Sequence, residues 1–250
     1  MKTAILHTVN CGLYLCHKET AILIDGLHSG GFDGWSYMPR EIVDQAKTHS
    51  GIFQHLSGLL FTHMHADHFD ADMLECALYT ALQPAVYGPG LEQTNVTVKA
   101  GVDGTECFSI GSWDITALPT MHDGDPASEQ TGPLDHRAFL LANPEEVFFV
   151  AGDARLTDVL TDEIQQHLSH PPDAVFLNFL QITVPANLDF IRKISPKRIF
   201  LYHLPFQDQD LFCYHKMTDR NIRRLPQDIS PVEKLPSMSW VDGRFPDWIR

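Results

Sequence analysis

The chain has 250 residues, of which 44% are hydrophobic and 20% charged, and its formal net charge is -14. This composition is typical of a folded globular chain and excludes an intrinsically disordered one. Extended nucleic acid or an anionic membrane is not expected as a partner, because binding either one needs an excess of Lys and Arg. We therefore expect a small-molecule partner, and the sequence leaves the oligomeric state open.

The cysteines and the first residues predict the compartment. Five cysteines are spaced irregularly and form no CxxC pair, unlike a secreted disulfide framework. The opening residues MKTAILHTVN lack the apolar stretch of a signal peptide, and no run approaches the roughly 20 apolar residues that span a bilayer. We expect a cytoplasmic protein with no membrane segment.

Apolar periodicity and turn residues predict the elements of the first half. The helix at 39–50 starts with a proline and is followed by Gly51, as helix ends commonly are. In chain order we expect a strand at 3–8, a hairpin around the HKET turn at 17–20, a helix at 39–50, a strand at 59–62, a helix at 71–83 and short strands around Ala85, Cys107 and Trp113.

The second half alternates more regularly between strands and helices. We expect strands at 136–143 and 147–153, a helix at 156–168, a strand at 173–178, a helix at 185–194 and a strand at 198–203. The basic run RNIRR at 220–224 predicts a solvated helix face, and the Pro-rich tail 226–250 predicts a strap over the surface. Two similar halves, each a sheet covered by helices on one face, fit this order within one domain at 1–250.

The stretch LLFTHMHADHFD, at 59–70, concentrates metal-ligand chemistry directly after a predicted strand. If a strand runs into this loop, His63 and His65 project to the same side, while Asp67 and His68 lie on the turn before the next helix. Imidazole and carboxylate groups suit zinc, iron or manganese. Four such residues can serve two neighbouring ions, provided that other parts of the chain supply further ligands.

Three residues elsewhere in the chain also follow apolar runs. These are His122 after DITALPTM, Asp153 after VFFVAG and His203 after RIFLY. Any one of them alone could be a cap or a hydrogen-bonded polar group. Together, at three strand ends, they predict the missing ligands.

The string HxHxDH, followed at wide spacing by a His, a Gly-Asp pair and a final His, resembles the metallo-β-lactamase superfamily. The resemblance covers most of the chain and implies an α+β fold, a four-layer αββα sandwich of two mixed β-sheets flanked by helices. Asp25, at the end of ILID, matches the position of an aspartate that supports the ligand loop in this family. Asp153 stands where true β-lactamases carry Cys, so hydrolases and lactonases of the superfamily are the nearer match.

The resemblance also implies a binuclear site and its chemistry. One ion would be held by His63, His65 and His122, a second by Asp67, His68 and His203, with Asp153 bridging the two. Zinc is favoured, and manganese or iron would suit the same ligands. Two divalent ions lower the pKa of a shared water, and Asp67 would orient this nucleophile and carry its proton to the leaving group.

The expected reaction is hydrolysis of an ester, lactone, thioester or phosphodiester bond in a small molecule. The chain looks most similar to the ascorbate-6-phosphate lactonase-like metal-dependent hydrolases. One alternative is an oxidoreductase similar to the persulfide dioxygenases, which hold a single iron and share HxHxDH. An RNA-processing nuclease is a lesser alternative, since neither an RNA-binding arm nor a basic face is visible.

Residues beside the predicted ligands have two open interpretations. His28, Gly30 and Gly31 lie in a loop that either lines the cleft or forms a surface turn. Asp123 and His136 either meet the substrate or support the site from behind. Asp25 or Asp70 could accept the second N–H of a ligand histidine, as carboxylates often do at metal sites.

Overall fold

The structure is a computed structural model that describes residues 2–30, 34–78, 83–101, 104–123 and 135–249. Fourteen strands lie in these ranges: β1 (Ala4–His7), β2 (Leu13–His17), β3 (Thr20–Ile24), β4 (Leu56–Leu60), β5 (Ala85–Tyr87), β6 (Lys99–Ala100), β7 (Glu106–Ile110), β8 (Trp113–Thr120), β9 (His136–Ala142), β10 (Val147–Val150), β11 (Ala174–Asn178), β12 (Ile199–Tyr202), β13 (Val232–Lys234) and β14 (Ser239–Trp240). The helices in the same ranges are α1 (Arg40–Thr48), α2 (Ala71–Leu78), α3 (Asp158–His167), α4 (Pro185–Ile194) and α5 (Tyr214–Ile222). None of these helices has the length and apolar character needed to cross a membrane.

The described strands form two mixed sheets. The first has the order β14-β1-β2-β3-β4-β5, and the second has the order β13-β12-β11-β10-β9-β8-β7-β6. Antiparallel hairpins open each half, while β3, β4 and β5 in the first sheet and β10 to β13 in the second run parallel. Parallel neighbours bring their carboxyl ends to one edge of a sheet, which is where binding sites form in such folds.

Three apolar clusters separate four layers. One cluster joins the inner faces of both sheets and includes Leu13, Trp113 and Phe176. A second packs α3 and α4 against the outer face of the second sheet, and a third packs α1 and α2 against the outer face of the first. The αββα sandwich predicted from the sequence is therefore confirmed.

Local sequence explains where these elements begin and turn. Thr157 caps α3, because its hydroxyl oxygen accepts a hydrogen bond from the Leu160 N–H at 3.2 Å. The tight β9-β10 turn is held by the Asn143 side chain, whose carbonyl oxygen accepts hydrogen bonds from the N–H groups of Glu145 and Glu146. Pro185 occupies the first turn of α4, as the sequence predicts.

Several predicted boundaries shift. The strand expected at 59–62 is β4, which begins at Leu56 and ends at Leu60. Helix α2 is described only to Leu78, so the rest of the prediction to Gln83 falls partly on 79–82, outside the described residues. The tail expected to be a strap contributes β13 to one sheet and β14 to the other, pairings that its Pro-rich composition does not predict.

Candidate metal centre

The predicted site residues meet where strands of both sheets end. Asp25 follows β3 and His63 follows β4, both in the first sheet. Three further site residues follow strands of the second sheet: His122 follows β8, Asp153 follows β10 and His203 follows β12. The structure thus brings together residues that are far apart in sequence, as the strand-end pattern predicts.

His63, His65 and His122 form what we call the outer group. Each contributes one ring nitrogen, and these atoms lie within 4.8 Å of one another. The His63 Nε2 and His65 Nδ1 atoms are 3.0 Å apart. His63 is fully buried, whereas His65 and His122 are half-buried and reach the surface.

Asp67, His68 and His203 form the inner group. The Nε2 atoms of His68 and His203 are 3.0 Å apart, and Asp67 Oδ2 lies 3.8 Å from the first and 3.4 Å from the second. All three residues are buried. The thiol of the buried Cys11 donates to the Asp67 backbone carbonyl, which helps to hold this loop under the group.

Asp153 lies between the two groups. Its Oδ2 is 3.4 Å from His122 Nε2 and 4.0 Å from His63 Nε2 on the outer side. On the inner side the same oxygen is 3.3 Å from His68 Nε2 and 3.6 Å from His203 Nε2. Its other oxygen, Oδ1, accepts a hydrogen bond of 2.6 Å from the side-chain amide of Asn178. One carboxylate oxygen therefore faces four imidazole nitrogens.

Hydrogen bonds behind the cluster fix which ring nitrogens face it. Asp25 accepts from the Thr62 backbone N–H, from the Thr62 hydroxyl and from His68 Nδ1, at 2.8, 2.7 and 3.0 Å. Because its hydroxyl donates to Asp25, Thr62 accepts from His63 Nδ1 at 3.0 Å. Both histidines therefore carry a proton on Nδ1 and turn Nε2 into the cluster.

The donor set fits divalent cations. The Nε2 atoms of His68 and His203, only 3.0 Å apart, need a proton or a metal cation between them. Ligand atoms roughly 2.0–2.2 Å from a shared tetrahedral ion are separated by about 3.4 Å. The distances from Asp153 to its four imidazole neighbours span that value. The ligand role of each residue stays a prediction.

His68 carries a positive charge. Burial acts to lower its pKa, but Cys11, Asp25 and Asp153 outweigh burial, and the pKa lies well above its usual value. An ion bound at its Nε2 would therefore replace a proton.

The charge states of His63 and Asp153 agree with the ligand chemistry. Burial, followed by the charge of His68, holds the pKa of His63 well below its usual value, so its imidazole is neutral. Burial acts to raise the pKa of the Asp153 carboxyl, but His203, His122 and His68 outweigh it, and the pKa lies well below its usual value. Neutral imidazoles and ionised carboxylates are the forms that bind metal ions.

His136 supports Asp153 from behind. Its Nε2 accepts a hydrogen bond from the Asp153 backbone N–H at 3.1 Å, so its proton is on Nδ1, which donates to the Thr120 hydroxyl at 2.6 Å. Burial lowers the pKa of His136 to about 3. The side chain is fully buried, which favours support over substrate contact, the other interpretation of the sequence.

His28 is also buried rather than open to a cleft. Its Nε2–H donates to the Val9 carbonyl at 3.1 Å, and burial lowers its pKa to about 4. Of the other candidates, Asp70 caps α2 through the Met73 N–H, while Asp123 donates its N–H to the Asp153 carbonyl. Gly31 lies outside the described residues.

Asp25 and His203 have left-handed backbone conformations, with φ of 50° and 64°. Residues other than glycine rarely adopt this conformation, and it costs on the order of 1 kcal/mol for each. Each lies directly after a strand, where a sharp change of direction points its side chain into the site. The surrounding hydrogen bonds and packing hold this strain in place.

Sequence reasoning missed two neighbours of the site. Asn178 ends the apolar run of β11, so it carries the same strand-end signal as Asp153 and could have been found. Trp35 gave no such signal. Its ring packs edge-on against His203 with 4.4 Å between ring centroids.

A family comparison agrees with this geometry. The family described as the Beta-lactamase superfamily domain matches residues 20–203, a range that holds all seven predicted ligands. The chain therefore belongs to the metallo-β-lactamase superfamily, as its sequence resemblance and sandwich fold indicate. No curated protein matches the chain.

Solved structures share the fold at low sequence identity. Igni18, a novel metallo hydrolase from the hyperthermophilic archaeon Ignicoccus hospitalis, is 12% identical with a TM-score of 0.59, and the match covers 96% of this chain and 97% of that one. An isothiocyanate hydrolase from Delia radicum gut bacteria is 13% identical with a TM-score of 0.56, covering 95% and 98%. CmlA, a diiron beta-hydroxylase from Streptomyces venezuelae, is 12% identical with a TM-score of 0.60, and 96% of this chain matches 54% of CmlA. This chain thus spans about half the length of CmlA.

Proposed function

We propose that this protein is a hydrolase that uses two divalent metal ions, with zinc favoured, to cleave an ester, lactone, thioester or phosphodiester bond in a small molecule. Membership of the superfamily supports a metal-dependent enzyme. The observation that carries the proposal is the position of Asp153. One of its oxygens faces imidazoles of both the outer and the inner group, at 3.3–4.0 Å.

The outer group would hold one ion and the inner group the other, with Asp153 shared. Bound there, divalent ions supply positive charge that lowers the pKa of a water and polarises the bond under attack. The imidazoles are neutral ligands, so they leave most of that charge available. Asn178 and His136 hold the carboxylate and the backbone of Asp153, and Asp25 orients His68.

Asp67 is the proposed proton carrier. Burial acts to raise its carboxyl pKa, but the hydrogen bond with His203 and the charge of His68 hold the pKa well below its usual range. The carboxylate is therefore ionised, the form that accepts a hydrogen bond from the attacking water and orients it. In the proposed reaction it also carries the proton of this water to the leaving group. Its side chain is 12% exposed, so one edge is open to solvent.

Metal analysis of the purified protein tests the proposal. We expect about two divalent ions per chain in the wild type, and loss of metal together with hydrolysis of lactone, thioester or phosphodiester substrates in Asp153→Ala. Asp208→Ala, which removes an exposed carboxylate, is the matched control and should retain both properties. Full activity in a metal-free Asp153→Ala protein would refute the proposal.

An iron-dependent oxidoreductase is the second candidate. The His and carboxylate ligands suit iron as well as zinc, and the solved structures with this fold include the diiron hydroxylase CmlA. The same metal analysis separates the candidates. Iron in the protein as purified, with oxygen consumed during turnover, would favour the oxidoreductase over the hydrolase.

A further inference from the structure

An apolar surface borders the inner group. It consists of Trp35, Tyr214 and Phe212, which we call the aromatic strip. Adjacent rings make contact along it, with centroids 5.8 Å apart for Trp35 and Tyr214 and 5.6 Å apart for Tyr214 and Phe212. Phe212 is 55% exposed, and Trp35 and Tyr214 are half-buried, so the strip is a surface and not core.

Two independent contacts join the strip to the metal cluster. At one end, Trp35 packs edge-on against the His203 ring, 4.4 Å away between centroids. Under Tyr214, the ring of Phe179 makes contact with the strip, and Phe179 directly follows Asn178, whose side chain donates to Asp153 Oδ1. The strip therefore continues directly from the residues that surround the inner group.

The backbone is built to seat the exposed ring. At Gly34 the φ angle is 91°, and a Cβ added there would lie 2.6 Å from Phe212 Cε2. Glycine both permits this conformation and leaves room for the ring. The buried Phe179 supports Tyr214 from below, with ring centroids 5.0 Å apart. The strip is thus a supported apolar platform with one open face.

We propose that the aromatic strip binds the apolar or aromatic group of the substrate whose bond is cleaved at the metal cluster, an inference that rests on the proposed function. None of its three side chains carries a charge, whereas a phosphate would need cationic partners. Flat aromatic rings contact acyl chains and aryl groups over a large apolar area. The substrate class is therefore an ester, lactone or thioester of an apolar acid rather than a phosphorylated sugar.

The test compares acyl groups on one leaving group in the metal-loaded protein. Thioesters of N-acetylcysteamine carrying acetyl, hexanoyl or phenylacetyl groups are assayed by thiol release. We expect KM to fall roughly tenfold from acetyl to phenylacetyl, as burial of several apolar carbons implies. In Phe212→Ala this preference should nearly disappear, and in Phe212→Leu it should largely return.

Phe245→Ala is the matched control, because Phe245 is also an exposed phenylalanine, at 46%, but contacts Trp240 in β14. It should keep the wild-type preference. Equal KM values for the three acyl groups in the wild type would overturn the inference while leaving the proposed hydrolysis intact. A change from oligomer to monomer in Phe212→Ala, measured by sedimentation velocity, would also overturn it, since the strip would then be a contact between copies of the chain.

Direct binding separates this inference from the proposed function. Calorimetry with acetate, hexanoate and phenylacetate needs no turnover. Tighter binding of phenylacetate to the wild type than to Phe212→Ala supports the proposed role of the strip, whether or not a thioester is cleaved. A failure to cleave any thioester would count against the proposed hydrolysis but not against the strip. Equal binding of all three acids by both proteins would refute the strip whatever the activity.

Discussion

The inner and outer groups contain similar side chains but have different surroundings. In the inner group His68 and His203 are fully buried and only one edge of Asp67 reaches solvent, and Asp25 fixes the ring of His68 by a hydrogen bond. In the outer group only His63 is buried, while His65 and His122 reach the surface. The inner group is therefore part of the folded interior, whereas the outer group is open to exchange of ligand and solvent. Substitutions should therefore affect protein stability more in the inner group than in the outer group.

The largest difference is expected between His68→Ala and His65→Ala. Removing His68 leaves the buried Asp25 carboxylate without one of its donors, which should lower the free energy of unfolding by about 3 kcal/mol. Removing the half-buried His65 should cost less than about 1 kcal/mol. Urea unfolding of both metal-free proteins measures this. Equal losses would show that the two groups do not differ in their structural role.

A smaller effect is expected when the Asp25 carboxylate behind the inner group changes but the three side chains of the group remain. Asp25→Asn should weaken metal binding at the inner group by roughly 10- to 100-fold, because His68 loses the carboxylate that orients it and makes it more basic. Binding at the outer group should change less. Competition with a chromophoric chelator measures both affinities. Asp70→Asn changes another nearby carboxylate, one that caps α2, and should leave both affinities unaltered.

The smallest expected effect is the pH dependence of the free energy of unfolding that arises from the buried His28. Burial lowers the pKa of His28 to about 4, from about 6.5 in an unfolded chain. Between these values the unfolded chain binds a proton that the folded chain does not. The stability linked to His28 is therefore complete above pH 6.5 and is lost as the pH falls towards 4.

Between pH 7.5 and 5.5 the wild type should lose about 1 kcal/mol more stability than His28→Gln. Urea unfolding at the two pH values measures the difference. His167→Gln, which removes an exposed imidazole from α3, is the control. Identical losses in the wild type and His28→Gln would mean that His28 takes up a proton equally readily in the folded and unfolded chain.

Local rules explain why much of the fold and site could be predicted. The bounds of α4 follow from Pro185 and an amphipathic period, and the structure has the helix at the predicted positions. His63, His65, Asp67 and His68 stand within six residues of one another, so their proximity needs only a strand and a turn. The more distant ligands follow from one further rule, that polar residues after buried strands gather at a sheet edge.

Side-chain partners could not be predicted, because they depend on tertiary packing. Sequence left open whether His28 and His136 face substrate or protein, and both are buried with backbone partners that lie elsewhere in the chain. The contact of Trp35 with His203 has no local signal at all. The strands β13 and β14 were missed because a Pro-rich tail lacks strand periodicity, and pairing with neighbouring strands formed them instead.

The pairing of the tail has a consequence for synthesis on the ribosome. Strand β1 emerges early, but its outer neighbour β14 belongs to the last segment described, and β12 likewise waits for β13. Until that segment is translated, β1 and β12 are themselves edge strands with one unpaired side, the kind of surface through which nascent chains aggregate. Ending translation before residue 226 would leave both edges open, so the yield of folded protein should depend on a segment that contributes none of the predicted metal ligands.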